Sequence, residues 1–433
     1  MVDIAPFKGI TYNKKKVDVN KVVAPPYDVI SKEEQEQLYR KSEYNIVRLI
    51  LGKEYLDDTG ENNRYTRAAD FFHRWTDVKI LVRSDKPSMY VYEEDYTING
   101  KNKKMRGFIA LLKLEGYETG KVKRHEKTLS KPKEDRLKLM KTCNANFDQI
   151  FLLYSDPEKK IDEILDRNAK RKPDYEVKYN DVVHRLWTIT RRDDIDEIVK
   201  TMKPKPLFIA DGHHRYETAL NYRNYMREKH PDFSGDELFN YMMVQFNNMD
   251  ERLSILPTYR LIYNIPELNV DETLEKLKEF FDVEKITLPE KKSEKIVDML
   301  KKIGQEGKKV FALYHDKKCY ILTLKDINLM DKFGAGSGVL RKLDVSILHT
   351  LIIEKILGIT DVEKHLKYTR DEDEAVKLVD EGKYQLSLFL NATTLDELKA
   401  VSEANENMPQ KSTYFYPKQL TGLVMNAIEG KIE

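Results

Sequence analysis

The sequence has few cysteines and no long apolar run, and each of these features excludes a class of protein. Cys143 and Cys319 are the only cysteines in 433 residues, and no C-x-x-C pair is present. A disulfide framework and a thiolate zinc site are therefore not predicted. No apolar run approaches the roughly 18 residues that span a bilayer, and the first residues lack a basic segment followed by an apolar one. We expect a protein of a reducing, cytoplasmic compartment with no membrane partner.

A large excess of charge of one sign is also missing. The 75 basic residues are balanced by 73 acidic ones, which leaves a net charge of +2. Binding of nucleic acid by counterion release requires a large cationic face, so a nucleic-acid partner is not predicted. At roughly 150 residues per domain, a chain of this length predicts two or three domains.

Local patterns predict a mixed α/β (α+β), multidomain fold with three regions. Residues 1–105 form an N-terminal α+β region, 106–263 a phosphate-binding core, and 264–433 a C-terminal region of alternating helices and strands. Ser31, followed by acidic residues, predicts a capped helix start. The pair Asn99-Gly100 between two apolar runs predicts a hairpin with a two-residue turn. Further predicted elements are strands at 108–112, 150–154, 206–210, 309–314, 319–323 and 384–390, and helices at 215–229, 271–281, 344–357 and 395–404.

The segment Asp211-Gly212-His213-His214-Arg215 concentrates polar chemistry at a predicted junction of strand and helix. The N-terminus of a helix presents backbone amides and a partial positive charge, which bind phosphate. Gly212 permits a positive φ or a close backbone approach, and Arg215 can hold a phosphate bidentately. Asp211 can cap the helix, orient a histidine, or hold a metal bound to the phosphates. Adjacent histidines point in different directions, so zinc is not predicted.

Two other segments carry candidate groups. Glu126 can orient or deprotonate a hydroxyl during phosphoryl transfer, and His125 is a second catalytic candidate that shares this role or tunes its neighbour. A solvated charged stretch also explains the pattern. Lys411, Ser412 and Thr413 are candidate contacts to a phosphate or a substrate carboxylate, and packing of the aromatic residues that follow is the alternative. Further donors that can serve as such contacts, each also explained by a surface salt bridge, are Arg48, Lys131, Arg136 and Arg260.

The segment from Pro206 to Leu220 resembles the second signature box of the ParB/sulfiredoxin-like superfamily. In the free-serine-kinase branch of that superfamily, a His-Glu segment before a helix precedes this box, as His125-Glu126 does here. The resemblance implies that the box binds nucleotide phosphates and that Glu126 is the catalytic carboxylate. The long separation of the two motifs implies an insertion near residues 155–200. Histidine replaces the cysteine that sulfiredoxin chemistry needs, so a reductase is not predicted.

Over its whole length the chain resembles the domain-of-unknown-function 1015 family. The motifs that carry this resemblance, besides the His125-Glu126 and Asp211 boxes, are residues 23–30 (VAPPYDVI), 44–49 (YNIVRL) and 408–418 (MPQKSTYFYPK). The family description itself implies no activity.

The resulting hypothesis is a kinase that transfers phosphate from ATP or ADP, with Mg²⁺ recruited chiefly by the nucleotide, to a hydroxyl of a small metabolite such as free serine. Its partners are then a nucleotide and a small-molecule substrate, and a homo-oligomer is left open. Two alternatives stay open as well: a nucleotide-binding regulatory module without catalysis, and a phosphatase or other hydrolase that uses the same anion site.

Overall fold

The structure is a computed structural model that describes residues 1–98, 100–128, 130–251, 253–289 and 291–433. The chain forms two compact units. The first consists of Met1–Lys123, Thr128–Leu253 and Pro417–Glu433, and the second of Arg124–Lys127 and Ser254–Tyr416. Within the described ranges, no helix is both long and apolar enough to cross a membrane.

Helices and strands alternate along the chain, which confirms the predicted mixed α/β, multidomain fold. The strands are β1 (Ile4–Ala5), β2 (Ile10–Tyr12), β3 (Leu81–Arg83), β4 (Met89–Ile98), β5 (Lys101–Lys113), β6 (Val122–Lys123), β7 (Ala145–Asn146), β8 (Ile150–Tyr154), β9 (Tyr175–Tyr179), β10 (Val182–Ile189), β11 (Leu207–Asp211), β12 (Tyr241–Asn248), β13 (Ser254–Ile255), β14 (Tyr259–Ile262), β15 (Phe281–Ile286), β16 (Val310–His315), β17 (Lys318–Leu324), β18 (Leu366–Thr369), β19 (Leu386–Leu390), β20 (Phe415–Tyr416) and β21 (Asn426–Ala427). The α-helices are α1 (Val19–Val22), α2 (Lys32–Lys41), α3 (Val47–Ile50), α4 (Arg64–Asp77), α5 (Ser130–Cys143), α6 (Lys160–Asn168), α7 (Arg192–Met202), α8 (His213–Lys229), α9 (Val270–Leu277), α10 (Lys292–Gln305), α11 (Leu329–Phe333), α12 (Gly338–Arg341), α13 (Asp344–Ile347), α14 (Val362–His365), α15 (Glu372–Asp380) and α16 (Leu395–Glu403). A π-helix spans Leu348–Ile356, and 3₁₀ segments span Tyr27–Val29, Tyr117–Thr119 and Leu238–Asn240.

The core of the first unit is a mixed sheet with the strand order β6-β11-β8-β12-β5-β4-β10-β9, and β1 also pairs with β5. The pairs β12–β8 and β11–β6 are parallel. Every residue of β8 and β12 is buried, as expected of central strands covered on both faces. The predicted border at residue 105 lies inside β5. Residues 155–200, the predicted insertion, form α6, β9, β10 and α7, and β10 and β9 extend the sheet beyond β4.

The predicted hairpin is confirmed. β4 and β5 pair antiparallel, and Ile98 lies opposite Lys101. Asn99 itself lies outside the described residues, and Gly100 has a φ of +68°. The second strand begins at Lys101, earlier than the apolar pattern indicated, because the polar residues before Met105 pair with the equally polar end of β4. The capped helix is confirmed too, since Ser31 Oγ accepts from the Glu34 amide at 3.1 Å.

The second unit contains a six-stranded sheet with the order β15-β17-β16-β19-β14-β18, whose neighbouring strands are all antiparallel. The strand pair predicted at 309–314 and 319–323 is confirmed as β16 and β17. The predicted helix 271–281 is too long at its C-terminal end, because buried Phe281 begins the edge strand β15. The predicted helix 344–357 changes after Ile347 into the π-helix, a form that is frequent at functional sites and that helical periodicity does not reveal.

Candidate functional site

In the first unit, the turn from β11 to α8 has the predicted arrangement of strand, glycine and helix. A register shift in β11 lies between Ile209 and Asp211, and such irregularities re-aim side chains near functional sites. Gly212 follows with a φ of +95°, and a Cβ at this position would lie 3.0 Å from Arg215 Nε. The helix starts at His213 and runs for 17 residues. The amides of its first turn have no acceptor within the helix, which makes this end suitable for an anion.

Arg215 holds this turn in place. The side chain is buried, and Nη1 donates to Asp148 Oδ2 at 3.3 Å and to the Gln149 carbonyl. Nη2 donates to Asp211 Oδ2 at 3.2 Å. Burial alone would lower the pKa of the guanidinium, but the nearby carboxylates of Asp148 and Asp211 raise it. Because both terminal nitrogens already bind internal acceptors, the geometry favours a bracing role, and the bidentate grip on a phosphate stays a prediction.

Asp211 lies between two cations. Its Oδ1 is 3.2 Å from Lys418 Nζ, and its Oδ2 accepts from Arg215. Burial raises the pKa of the Asp211 carboxyl, but the positive charges of Lys418, Arg215 and His213 outweigh burial and hold the pKa well below its usual range. Lys418 was not among the predicted site residues, although it ends the 408–418 motif. His213 is buried, and the neighbouring His214 is partly exposed.

The Tyr27-Asp28 loop also lies close to this turn, since the charges of both residues influence the pKa of Arg215. The guanidinium carbon of Arg136 lies 4.0 Å from the centre of the Tyr27 ring. Arg136 is buried, and its nitrogens donate to the Ile50 carbonyl and to Asp135 Oδ2, each at 2.7 Å. The prediction of a substrate or phosphate contact at Arg136 stays untested, and the structure shows that its salt bridge with Asp135 is internal.

In the second unit, the structure brings together two predicted segments that are far apart in the chain. His125 is buried, and its Nε2 lies 3.0 Å from Thr413 Oγ1, 288 residues further on. The Met408 amide donates to the His125 carbonyl at 2.7 Å. Glu126 forms a parallel bridge with Met408, and its Oε1 accepts from the Lys411 backbone amide at 3.4 Å.

A tight turn at residues 409–413 gives the second segment its shape. Lys411 has a φ of +58°, which is unusual for a residue with a side chain. The Ser412 hydroxyl donates to the Pro409 carbonyl, and Thr393 Oγ1 donates to the Ser412 carbonyl at 3.0 Å. These contacts use the Ser412 hydroxyl internally and turn the Lys411 amide toward Glu126. The left-handed backbone at Lys411 is therefore part of the contact between the two segments.

The Tyr368 side chain of the same unit lies near Glu126. Burial raises the pKa of Tyr368, the positive charge of Arg260 lowers it, and the negative charge of Glu126 raises it. The guanidinium carbon of Arg370 lies 4.0 Å from the centre of the Tyr414 ring. The interpretation of Arg260 as a surface salt bridge is wrong, because only 1% of this residue is exposed.

The turn residues do not fit a magnesium ion held by the protein itself. Both oxygens of Asp211 already face cations, so the suggestion that Asp211 holds a metal is not supported by its geometry. Across the ranges that the structure describes, no three His, Cys, Asp or Glu side chains are grouped so that they could hold a metal ion.

Residues 4–346 match a family model described as "Protein of unknown function (DUF1015)". No curated protein matches the chain. Among solved structures, a free serine kinase variant in complex with AMP shares 14% identity, with 71% of this chain and 89% of that chain covered and a TM-score of 0.35.

Two further solved structures are similar to the same degree. A conserved hypothetical protein from Pyrococcus furiosus shares 15% identity, with 72% of this chain and 92% of that chain covered and a TM-score of 0.33. SbnI from Staphylococcus aureus, with a C-terminal truncation, shares 12% identity, with 72% and 85% covered and a TM-score of 0.32. At these TM-scores, the likenesses are too weak to assign an activity.

Proposed function

The chain belongs to the family described as protein of unknown function (DUF1015), whose name gives no activity, and we propose that it is a small-molecule kinase. The donor is ATP or ADP, and the acceptor is a hydroxyl of a small metabolite, with free serine or a relative as the first candidate. The Asp211–Arg215 turn is the proposed binding site for the nucleotide phosphates. Glu126 is the proposed group that orients the acceptor hydroxyl.

The phosphate half of the proposal is supported by the start of α8. A 17-residue helix directs the amides of its first turn outward from His213, and this end carries a partial positive charge. Gly212 has no side chain, so a phosphate can approach the backbone closely. The cations Lys418 and Arg215 hold Asp211, and this bracing keeps the turn in one conformation before the ligand arrives. Preorganisation of this kind lowers the cost of binding.

The observation that carries the catalytic half is the contact between Glu126 and the 409–413 turn. The Lys411 amide donates to the Glu126 carboxylate at 3.4 Å, and Thr413 contacts the neighbouring His125. A carboxylate held in this way can accept a proton from a hydroxyl. It is this pairing, across most of the chain, that distinguishes Glu126 from a solvated acidic residue.

The proposed step exchanges one phosphorus–oxygen bond for another and moves one proton. The acceptor oxygen attacks the terminal phosphorus, and the bond from that phosphorus to the bridging oxygen of the nucleotide breaks. ATP leaves as ADP, or ADP leaves as AMP, and the hydroxyl proton passes to Glu126. Positioning and neutralisation of charge supply most of the rate in such reactions.

Phosphorus-31 NMR tests this function. The protein is incubated with Mg²⁺, ATP or ADP, and a pool of free serine and related hydroxy metabolites. The expected result is a new phosphomonoester signal that is lost in Glu126→Gln and kept in Glu134→Gln, a matched change at an exposed position of α5. Nucleotide that binds but stays unchanged would replace the kinase with a regulatory module. Release of inorganic phosphate without any acceptor would indicate a hydrolase.

A further inference from the structure

A buried arginine lies in the six-stranded sheet of the second unit. Arg260 belongs to β14, and only 1% of it is exposed. Its Nη1 donates to the Thr258 carbonyl. Among the described residues, neither Nε nor Nη2 has a hydrogen-bond partner, and no carboxylate pairs with the guanidinium. Within the described part of the chain, the positive charge is therefore enclosed without a carboxylate that pairs with it.

This arrangement is costly unless something else neutralises the charge. Burial lowers the pKa of Arg260 to about 10, so the guanidinium remains charged at neutral pH. Proteins pair buried charges or bind ligands with them, because an isolated ion in the interior loses its hydration. A bound anion removes this cost and satisfies the nitrogens that have no acceptor.

Three more polar groups around Arg260 are also buried without a hydrogen-bond partner among the described residues. Tyr368 pairs with Arg260 across β18 and β14, and the guanidinium carbon lies 5.6 Å from the centre of its ring. His349 lies in the π-helix, and its pKa is lowered by burial and by the charge of Arg260, which is therefore close to it. In the described part of the chain, the Tyr368 hydroxyl, His349 Nε2 and Thr258 Oγ1 are buried without a hydrogen-bond partner. All three can donate hydrogen bonds, so the cluster is suited to an anion.

We propose that Arg260, with Tyr368, Thr258 and His349, binds the carboxylate of the acceptor substrate. The planar guanidinium matches a carboxylate in two parallel hydrogen bonds. Tyr368 connects this cluster to Glu126, since the charges of Arg260 and of Glu126 both act on its hydroxyl. Tyr368 is partly exposed, so one side chain of the cluster reaches the solvent.

The inference rests on the proposed kinase and narrows its substrate class. An acceptor that places a carboxylate at Arg260 and a hydroxyl at Glu126 is a small hydroxy acid or hydroxy amino acid. Sugars and simple alcohols lack the carboxylate, and their hydroxyl groups leave the charge of Arg260 without a partner. Inorganic phosphate shares the anionic chemistry, so the test has to separate it from a carboxylate.

Isothermal titration calorimetry on the full chain, without nucleotide and at constant ionic strength, tests the site. The probes are L-serine and D-glycerate, which carry a carboxylate, ethanolamine and glycerol, which carry a hydroxyl without one, and inorganic phosphate. We expect the first pair to bind at least about tenfold more tightly than the others, because charge-assisted hydrogen bonds are strong. Arg260→Met should lose that binding, and Arg191→Met, at an exposed surface position, should keep it.

A thermal melt of each variant shows whether Arg260 is instead a structural residue. Arg260→Met removes a buried charge that has no partner, so the Tm without ligand should not fall, and the rise in Tm with D-glycerate should disappear. Arg260→Lys keeps the charge but loses the planar fork, and should bind D-glycerate more weakly than the native protein. A sharp fall in the Tm of Arg260→Met without ligand, or equal binding by native protein and Arg260→Met, would overturn the site. Tighter binding of inorganic phosphate than of D-glycerate would overturn the carboxylate assignment.

Failure of this site and failure of the kinase are distinguishable. If D-glycerate binds in a way that depends on Arg260 but is never phosphorylated, the anion site is supported and the kinase proposal is wrong. If the acceptor is phosphorylated with the same KM by native protein and by Arg260→Met, the kinase proposal is supported and the anion site is wrong. If the kinase activity and the carboxylate site are both present, the KM for the acceptor should rise at least about tenfold in Arg260→Met, with a smaller effect on kcat.

Discussion

Lys418 Nζ lies 3.2 Å from Asp211 Oδ1, so a residue near the C-terminal end holds the carboxylate that begins the candidate phosphate turn. Asp211 also binds Arg215, and Arg215 binds Asp148. The turn is thus built from a chain of alternating charges inside the first unit. Its conformation depends on Lys418 as much as on the adjacent residues of the motif.

Removal of the Lys418 charge should therefore weaken both the turn and its ligand binding. Lys418→Met removes one of the cations beside the half-buried Asp211 carboxylate, so the pKa of Asp211 should rise, and the free energy of unfolding should fall by about 2 kcal/mol. Affinity for ATP or ADP should fall about tenfold, measured by calorimetry. The control Lys431→Met, in the same C-terminal segment but exposed, should change neither. Unchanged nucleotide affinity in a folded Lys418→Met would contradict a role for this pair in binding.

Thr413 is expected to act as a positioning residue through His125. Thr413→Val removes the hydroxyl that lies 3.0 Å from His125 Nε2 and leaves a buried ring without that partner. We expect kcat to fall about tenfold with a smaller change in KM, and the pH profile of kcat to shift, because the orientation of His125 beside Glu126 changes. Thr413→Ser restores the hydroxyl and should recover most of the rate. An equal loss in Thr413→Ser and Thr413→Val would assign the effect to packing.

Local patterns predicted the elements that carry the site. The apolar run 150–154 became β8 with the same bounds, and the Asp-Gly pair after 206–210 marked the junction before α8. These features depend on residues adjacent in sequence, where alternation, burial and glycine act directly. The junction was therefore located in the sequence, as was the hairpin of β4 and β5.

Contacts between residues that are far apart in the sequence could not be predicted from such patterns. Nothing near Glu126 in the sequence indicates that Lys411 will bind its carboxylate, and nothing near Asp211 indicates Lys418. Arg260 is a stronger case, since an arginine in a short apolar segment is usually solvated or paired. Only the packing of β14 against its neighbours shows that its charge is enclosed. The π-helix was also missed, because its apolar residues fit the α-helical pattern.

Gly212 should tolerate no side chain. Its φ of +95° disfavours residues with a Cβ, and the added atom would lie 3.0 Å from Arg215 Nε. Gly212→Ala is expected to lower the free energy of unfolding by about 1–3 kcal/mol and to weaken nucleotide binding by disturbing Arg215. Gly382→Ala is a matched control, since its φ is +70° but nothing lies within 4 Å of the added Cβ. Chemical denaturation and calorimetry compare the two. Equal effects on nucleotide binding would show that general strain, rather than the turn, is responsible.

Glu94 should make the protein less stable as the pH rises. This residue of β4 is fully buried. Burial raises its pKa well above the ordinary value of 4.5, and a hydrogen bond from Gln245 and the charge of Lys418 oppose this only in part. A group whose pKa is higher in the folded state favours folding while it is protonated. The favourable contribution is complete below pH 4.5 and is lost as the pH rises through the folded pKa.

Replacement of Glu94 by glutamine keeps the shape and removes the titration. Glu94→Gln should match the native protein near pH 4 and exceed its free energy of unfolding at pH 8 by an amount on the order of 1–3 kcal/mol. His184, whose Nδ1 lies 3.7 Å from Glu94 Oε1, has its pKa lowered by burial to about 3. It therefore adds an acid-side loss of stability below pH 6.5 in both proteins, and the comparison at pH 8 is free of this effect. Denaturation curves from pH 4 to 8 measure that difference. A lower stability of Glu94→Gln at pH 8 would mean that the carboxylate is charged and paired in the folded protein, in contradiction to the enclosed, neutral acid inferred here.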